Sequence, residues 1–228
     1  MKKIIFAVLA ILILVSCAPF ISINTSSNIT NAFALRRMTL INNSNYVAKI
    51  TINCATTPNI PPKGILTGTW IYDFDEIQVP ITIQFFDSKN QYVGTAQRVL
   101  YYYPSYLNNT WVISNEDINY VDSSIKRHPF PQPKTTTVFK FKFPRINWLS
   151  TTIIQIANNT HEKATILING KIRAILKEGD VYCVDLQQGN FFEYYEMTNM
   201  TALYGNKVFS QDIYSYPNIE SAYVFTLF

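Results

Sequence analysis

Two histidines, three cysteines and fifteen acidic residues are the reactive groups of this 228-residue chain, and their spacing assembles little chemistry. His128 lies in the proline-rich run His128-Pro129-Phe130-Pro131-Gln132-Pro133. His161 opens His161-Glu162-Lys163-Ala164-Thr165, which lacks the second histidine that a zinc-protease helix needs. The seven glycines form no Gly-x-Ser-x-Gly elbow, phosphate loop or dinucleotide fingerprint, so serine–histidine hydrolysis has no motif to rest on. The densest acidic group is Asp73, Asp75 and Glu76. Asp73 and Asp75 share one face of a strand whose other face carries Trp70, Tyr72 and Phe74. Calcium binding needs several oxygens converging on one point, usually around a glycine turn, and that pattern is missing. These carboxylates read as a solvated strand face. No metal and no cofactor is expected.

The aromatic residues carry a stronger signal. Tyr101, Tyr102, Tyr103 and Tyr106 form one cluster, and Phe191, Phe192, Tyr194 and Tyr195 form another. Consecutive strand residues point to opposite faces, so neither run fits wholly into the core of a one-sided sheet. Exposed tyrosines suit sugar stacking or protein contact, because they offer a flat apolar face and a hydroxyl. Tyr102, Tyr106, Phe192 and Tyr194 are the candidate binding residues. The competing reading is packing between domains or beneath an insertion.

The N-terminus gives an address. Met1-Lys2-Lys3 is followed by an unbroken apolar run from Ile4 to Val15, shorter than the roughly 20 residues of a spanning helix and within the about 7–15 of a signal-peptide core. Leu14-Val15-Ser16-Cys17 then resembles the lipobox of bacterial lipoproteins. That resemblance covers only the first 17 or so residues. It implies that residues 1–16 are a signal peptide and that Cys17 becomes the mature N-terminus carrying a diacylglyceryl thioether. Two or three acyl chains, palmitate among them, would hold the protein on a membrane, since each buried CH₂ contributes about 0.8 kcal/mol. The expected location is the cell envelope, on the exported side, as periplasm or cell surface. Residues 17–34 are rich in Ser, Thr and Asn and read as a tether.

The remaining body of about 210 residues is long enough for one large or two ordinary β-domains. The formal charge of +4 falls to near +2 without Lys2 and Lys3, and the basic residues are scattered, which gives no case for nucleic acid. Cys54 and Cys183 remain, and an exported address permits a disulfide between them without requiring one.

An internal repeat organises the body. Residues 41–53 and 157–169 align without gaps: Asn42, Asn43, Ala48, Ile50, Ile52 and Asn53 match Asn158, Asn159, Ala164, Ile166, Ile168 and Asn169, with Ser44 opposite Thr160. The matched apolar positions share one parity and so one face of a strand. Two weaker echoes follow in order. Tyr101-Tyr102-Tyr103-Pro104 parallels Tyr214-Ser215-Tyr216-Pro217, and Val138-Phe139-Lys140-Phe141 parallels Val224-Phe225-Thr226-Leu227. Two copies of one domain account for this ordering. The copies run over 35–143 and 150–228, with a linker at 144–149. The first carries an insertion near 105–137, expected as an exposed, semi-extended excursion, that includes a short helix at Ser114-Asn115-Glu116-Asp117 with Ser114 at its N-cap, and the proline-rich run.

Ile77, Val79, Ile81, Ile83 and Phe85 alternate with polar residues and predict a half-buried strand. Asn169-Gly170 marks a hairpin. A three-residue loop pairing Ile166 with Ile172 and Ala164 with Ala174 would keep the apolar face together. Short strands between turn signals point to an all-β chain of two tandem antiparallel β-sandwiches, immunoglobulin-like in class though without a Cys-Trp-Cys pattern. The function expected is a non-catalytic, membrane-anchored binding or structural module whose partners are membrane lipid, through the acylated N-terminus, and an envelope protein or glycan. The alternative is an accessory envelope hydrolase acting on glycan or peptide, with its site scattered over several strands.

Overall fold

The computed structural model describes residues 34–72, 77–103, 108–122, 128–142, 151–187, 196–216 and 221–228. Apart from one 3₁₀ turn at Asn115–Asp117, every regular element among them is a β-strand. In the N-terminal half these are β1 (Ala34–Asn42), β2 (Val47–Ile52), β3 (Ala55–Thr56), β4 (Ile65–Tyr72), β5 (Ile77–Phe86), β6 (Tyr92–Tyr102), β7 (Asn108–Ile113), β8 (Asn119–Tyr120) and β9 (Val138–Lys142). The C-terminal half holds β10 (Thr151–Asn158), β11 (Ala164–Ile168), β12 (Lys171–Leu176), β13 (Val181–Gln187), β14 (Glu196–Tyr204), β15 (Lys207–Ser215) and β16 (Ser221–Leu227).

Each half pairs two sheets around its own apolar core. The sheets β7-β1-β4-β9 and β3-β2-β5-β6-β8 enclose Met38, Leu40, Ile50, Leu66, Ile81, Ile83, Phe85 and Trp111. The sheets β13-β10-β16 and β12-β11-β14-β15 enclose Ile154, Ile156, Ile166, Met200, Ala202 and Ile213. The alternating residues of β2 and β11 supply one wall of each core, as their shared parity requires.

The repeat is a repeat of connectivity. β1 is antiparallel to β4 and parallel to β7, and β10 stands in the same relation to β13 and β16. β2 pairs with β5 and β5 with β6, as β11 pairs with β14 and β14 with β15. The Asn-Asn-Ser/Thr motif explains why the two halves share the same first corner. The Asn42 amide donates to the carbonyls of Tyr46 and Ile60, both at 2.9 Å, while its Oδ1 accepts from the Ser44 N–H at 3.2 Å and hydroxyl at 2.6 Å. The Asn158 amide donates to Glu162 and Leu176, at 2.7 and 3.2 Å, and its Oδ1 accepts from the Thr160 N–H at 3.2 Å and hydroxyl at 2.8 Å. Both asparagines are buried, and each satisfies carbonyls that the turn removes from water. Asn53 and Asn169, also matched, both take left-handed backbone angles, φ 51° and 50°, a conformation asparagine tolerates better than most side chains.

Several expectations are corrected. Two of the four sheets are mixed and not antiparallel, because β7, β9 and β16 join their neighbours in parallel. The Val138–Phe141 echo is not an equivalence: β9 adds to the free edge of β4, whereas the partner of β16 in the repeat is β7. The stretch near 105–137 is therefore only partly an excursion, since Trp111, Ile113 and Ile118 in it are core residues. Its expected short helix is a single 3₁₀ turn, Asn115–Asp117, capped by Ser114, with Ser114 and Asp117 exchanging hydrogen bonds. Its proline-rich part runs beside the first corner, where the Phe130 N–H donates to the Asn45 carbonyl at 2.8 Å. The Asn169-Gly170 hairpin has a two-residue loop, pairing Ile168 with Lys171, and a bulge at Arg173 restores the parity. Ile166 then faces Ala174, and Ile172 is left outside at 65% exposure.

The largest departure concerns β5. Its apolar residues enter the core as expected, but Pro80, Thr82 and Gln84 on the other face are buried too. The β13-β10-β16 sheet covers them, with β10 and β16 packing on β5 and β6. The chain is thus a stack of four sheets in which the inner two are covered on both faces.

Candidate functional site

Three surfaces are candidates for function: the seam between the halves, the outer faces of the stack, and a cleft beside the seam. The seam is built from amides and hydroxyls. Gln155, fully buried on β10, accepts from the Thr82 hydroxyl at 2.6 Å and donates to the carbonyls of Asn53 and, at 3.2 Å, Pro80. Gln97 donates to Thr82 Oγ1 at 2.9 Å and accepts from the Thr226 hydroxyl, which links β16 to the same chain of bonds. Gln84 donates to the Gly179 carbonyl, the Tyr92 hydroxyl donates to Asn159 Oδ1 at 2.9 Å, and the Ala222 N–H donates to Gln78 at 3.0 Å. Gly179, at φ +77°, lies so close under the Tyr92 ring that a Cβ would meet it at 2.8 Å. Burial pushes the Tyr92 phenol above its usual range, with Glu178 adding to the rise. A disulfide between Cys54, in the β2–β3 turn, and Cys183, on β13, closes the seam covalently with a Cα–Cα distance of 5.4 Å.

The two outer sheets face solvent. On β7-β1-β4-β9 the cross-strand register aligns Val112, Ile41, Ile65 and Val138 in one apolar row, with Thr110, Thr39, Thr67 and Lys140 beside it. Val112 and Val138 are 52% and 56% exposed. On β12-β11-β14-β15 the corresponding row is Ile175, Thr165, Leu203 and Val208, with Ile172 and Leu167 adjacent. Ile175, Leu203 and Val208 are exposed at 63%, 40% and 69%.

The cleft has a volume of about 470 Å³ and is lined by Tyr120, His161, Glu162, Tyr204, Lys207 and Phe228, among others. His161 Nδ1 lies 3.3 Å from the Glu178 carboxylate, and both side chains are solvent-accessible, so the pair contributes little to stability. Lys207 donates to the Phe228 carbonyl at 2.9 Å and sits 5.8 Å from the Tyr204 ring centre. This is a mixed-charge pocket with two phenols. Among the described residues no three His, Cys, Asp or Glu side chains are grouped to hold a metal ion.

The predicted binding residues separate. Tyr102 is fully buried and its hydroxyl donates to the Arg37 carbonyl at 2.9 Å, so it is a core residue and not a surface one. Parity decides this, because position 102 shares the inward face of β6 with Leu100. Burial holds its phenol well above the usual range. Tyr106, Phe192 and Tyr194 lie outside the described residues, as do Cys17, Asp73, Asp75 and Glu76. The neighbours of Tyr102 are the exposed ones: Tyr101 and Tyr103 at 45% and 43%. Through the β5–β6 and β14–β15 registers they match Tyr214 and Tyr216, which are exposed at 40% and 45%. The tyrosine echo in the sequence is therefore a spatial one. Sequence reasoning missed the seam glutamines, since an isolated Gln on an alternating strand carries no sign of what covers it.

No protein-family model and no curated protein matches the chain. Among solved structures it is similar to one described as the Bacillus anthracis TIE protein, at 9% identity and a TM-score of 0.22. That match covers 85% of this chain and 33% of the other, so the chain spans about a third of that protein's length.

Proposed function

We propose that this protein is an exported, membrane-tethered, non-catalytic module of two tandem immunoglobulin-like β-sandwiches, at about 35–143 and 150–228, which presents rigid sheet faces to an envelope partner. The observation that carries the reading is the asymmetry of its surfaces. One face of each half is sealed by a disulfide and a network of buried amides, while the outward faces expose rows of Ile, Leu and Val. Monomeric proteins seldom expose contiguous apolar patches without a binding role. The Cys54–Cys183 bridge supports an oxidising, exported location, and Leu14-Val15-Ser16-Cys17 supports lipid attachment at Cys17. The four matched tyrosines, Tyr101, Tyr103, Tyr214 and Tyr216, replace Tyr102 as candidates for glycan or protein contact.

Two measurements test this reading. Cys17→Ser should move the protein from the detergent phase to the aqueous phase and change its mature mass; unchanged partition and mass would remove the lipid anchor. Incubation of the purified protein with envelope glycans and peptides should leave them intact, and reproducible hydrolysis would replace this reading with the accessory hydrolase.

A further inference from the structure

The internal stacking shows how this fold covers its own sheets: the outer face of β2-β5-β6 in the first half receives the outer face of β13-β10-β16 in the second. By the repeat, β11-β14-β15 is the counterpart of the receiving face, and β7-β1-β4 is the counterpart of the inserted one. Both counterparts lie at the open ends of the stack. Six matched positions on the two open faces differ from those of the seam in the same sense. On the receiving side, Gln78, Gln84 and Thr95 of the closed seam correspond to Met197, Leu203 and Val208 on the open face. On the inserted side, Ala157, Val181 and Thr226 of the seam correspond to Ile41, Ile65 and Val112. At these six places the exposed residue is the larger or more apolar one, whereas Ile153, Val224, Pro80 and Val99 of the seam correspond to Arg37, Thr110, Asn199 and Asp212; what distinguishes the open ends is that their apolar residues stand exposed in rows. Charge agrees: Arg37 and Lys140 flank the apolar row of the first face, and Asp212 lies on the second. The seam cysteines have no counterparts there, since Thr67 and Gly170 stand at those places.

We propose that the β12-β11-β14-β15 face binds the β7-β1-β4-β9 face of a second copy of this chain, so that the internal stacking continues head to tail. Such a contact joins two different patches and leaves one of each free, so it builds open-ended chains and not closed dimers. A membrane anchor raises the local concentration and favours them further. This inference rests on the reading of the protein as an interaction module and names its partner.

The test is sedimentation of the full chain in detergent over a concentration series, with two blocking variants. Leu203→Lys sets a cation against the basic face, and Val112→Glu sets an anion against Asp212. The wild type should grow beyond a dimer with concentration, and each variant alone should stop at the monomer with an association constant at least about tenfold weaker. An equimolar mixture of the two should give a one-to-one dimer, because each retains the face the other has lost. Unchanged thermal melts check the fold, and Ile175→Lys at the exposed edge replaces Leu203→Lys if that melt falls. A wild type that stays monomeric throughout overturns self-assembly while leaving the interaction module standing. Variants that still dimerise alone overturn the head-to-tail geometry.

Discussion

The β5–β6 face of the N-terminal half and the β14–β15 face of the C-terminal half have the same strand order and register, yet one is sealed and the other open. The sealed face is lined by Gln78, Thr82, Gln84 and Gln97, each hydrogen-bonded across the seam or along it. The open face carries Met197, Thr201, Leu203 and Ser210 at the matched places. Buried amides bonded across the seam fix one geometry, because a shifted arrangement would strand carbonyls away from water. Apolar rows lack that directional demand and suit association that forms and dissolves. Permanence within the chain and availability at its ends thus come from side chains on one scaffold.

The comparison can be broken most severely at the covalent link. Replacing both Cys54 and Cys183 with serine opens a 129-residue separation and should lower stability by up to about 5 kcal/mol on the chain-entropy account. Denaturant unfolding of the oxidised protein against the double variant measures it. The next largest effect is expected at Gln155. Gln155→Ala removes the acceptor of the Thr82 hydroxyl and a donor to the Asn53 and Pro80 carbonyls, although Thr82 Oγ1 keeps Gln97 and the Pro80 carbonyl keeps the Asn53 N–H, and should cost about 2 kcal/mol. Thr39→Ala, at the matched place on the open sheet, should change stability by less than about 0.5 kcal/mol. Equal effects at the two positions would erase the distinction between sealed and open faces.

Asn42→Ala and Asn158→Ala sharpen the other side of the comparison, the sameness of the two corners. Each should cost about 2 kcal/mol, by the same amount within error, since each side chain holds the same four bonds. A smaller effect lies in pH. Burial raises the Tyr92 phenol above the ordinary tyrosine range in the folded state, so the unfolded chain loses that proton first. The stability tied to its neutral form is intact below about pH 10 and lost as pH rises beyond it. Tyr92→Phe should therefore flatten the alkaline decline in melting temperature while leaving its value at neutral pH slightly lower.

Where local chemistry decides the structure, the sequence was readable. The Asn-Asn-Ser/Thr corner, the Ser114 cap and the parity of Ala48, Ile50 and Ile52 depend on residues a few positions apart, and all three form as their spacing implies. The tyrosine echo also held in register, although Tyr102 itself turned inward. What escaped depends on placement. The polar side of β5 looks like a solvent face until β10 lies on it. β7 fell within the expected insertion because only Trp111 and Ile113 of its six residues are buried. Arg173 shows a third kind of miss: counting residues selects a three-residue hairpin loop, but a bulge meets the same parity requirement with two.

Thiol cross-linking of Thr39→Cys and Thr201→Cys tests most directly whether the open faces repeat the closed seam between copies. These positions match Gln155 and Thr82, which meet at 2.6 Å inside the chain. With a short bis-maleimide on membranes, the double variant should give a ladder of monomer, dimer, trimer and higher bands. Each single variant should remain monomeric, and a mixture of the two should stop at the dimer. A double variant that yields monomer alone, or a single variant that yields dimer by itself, would contradict the account.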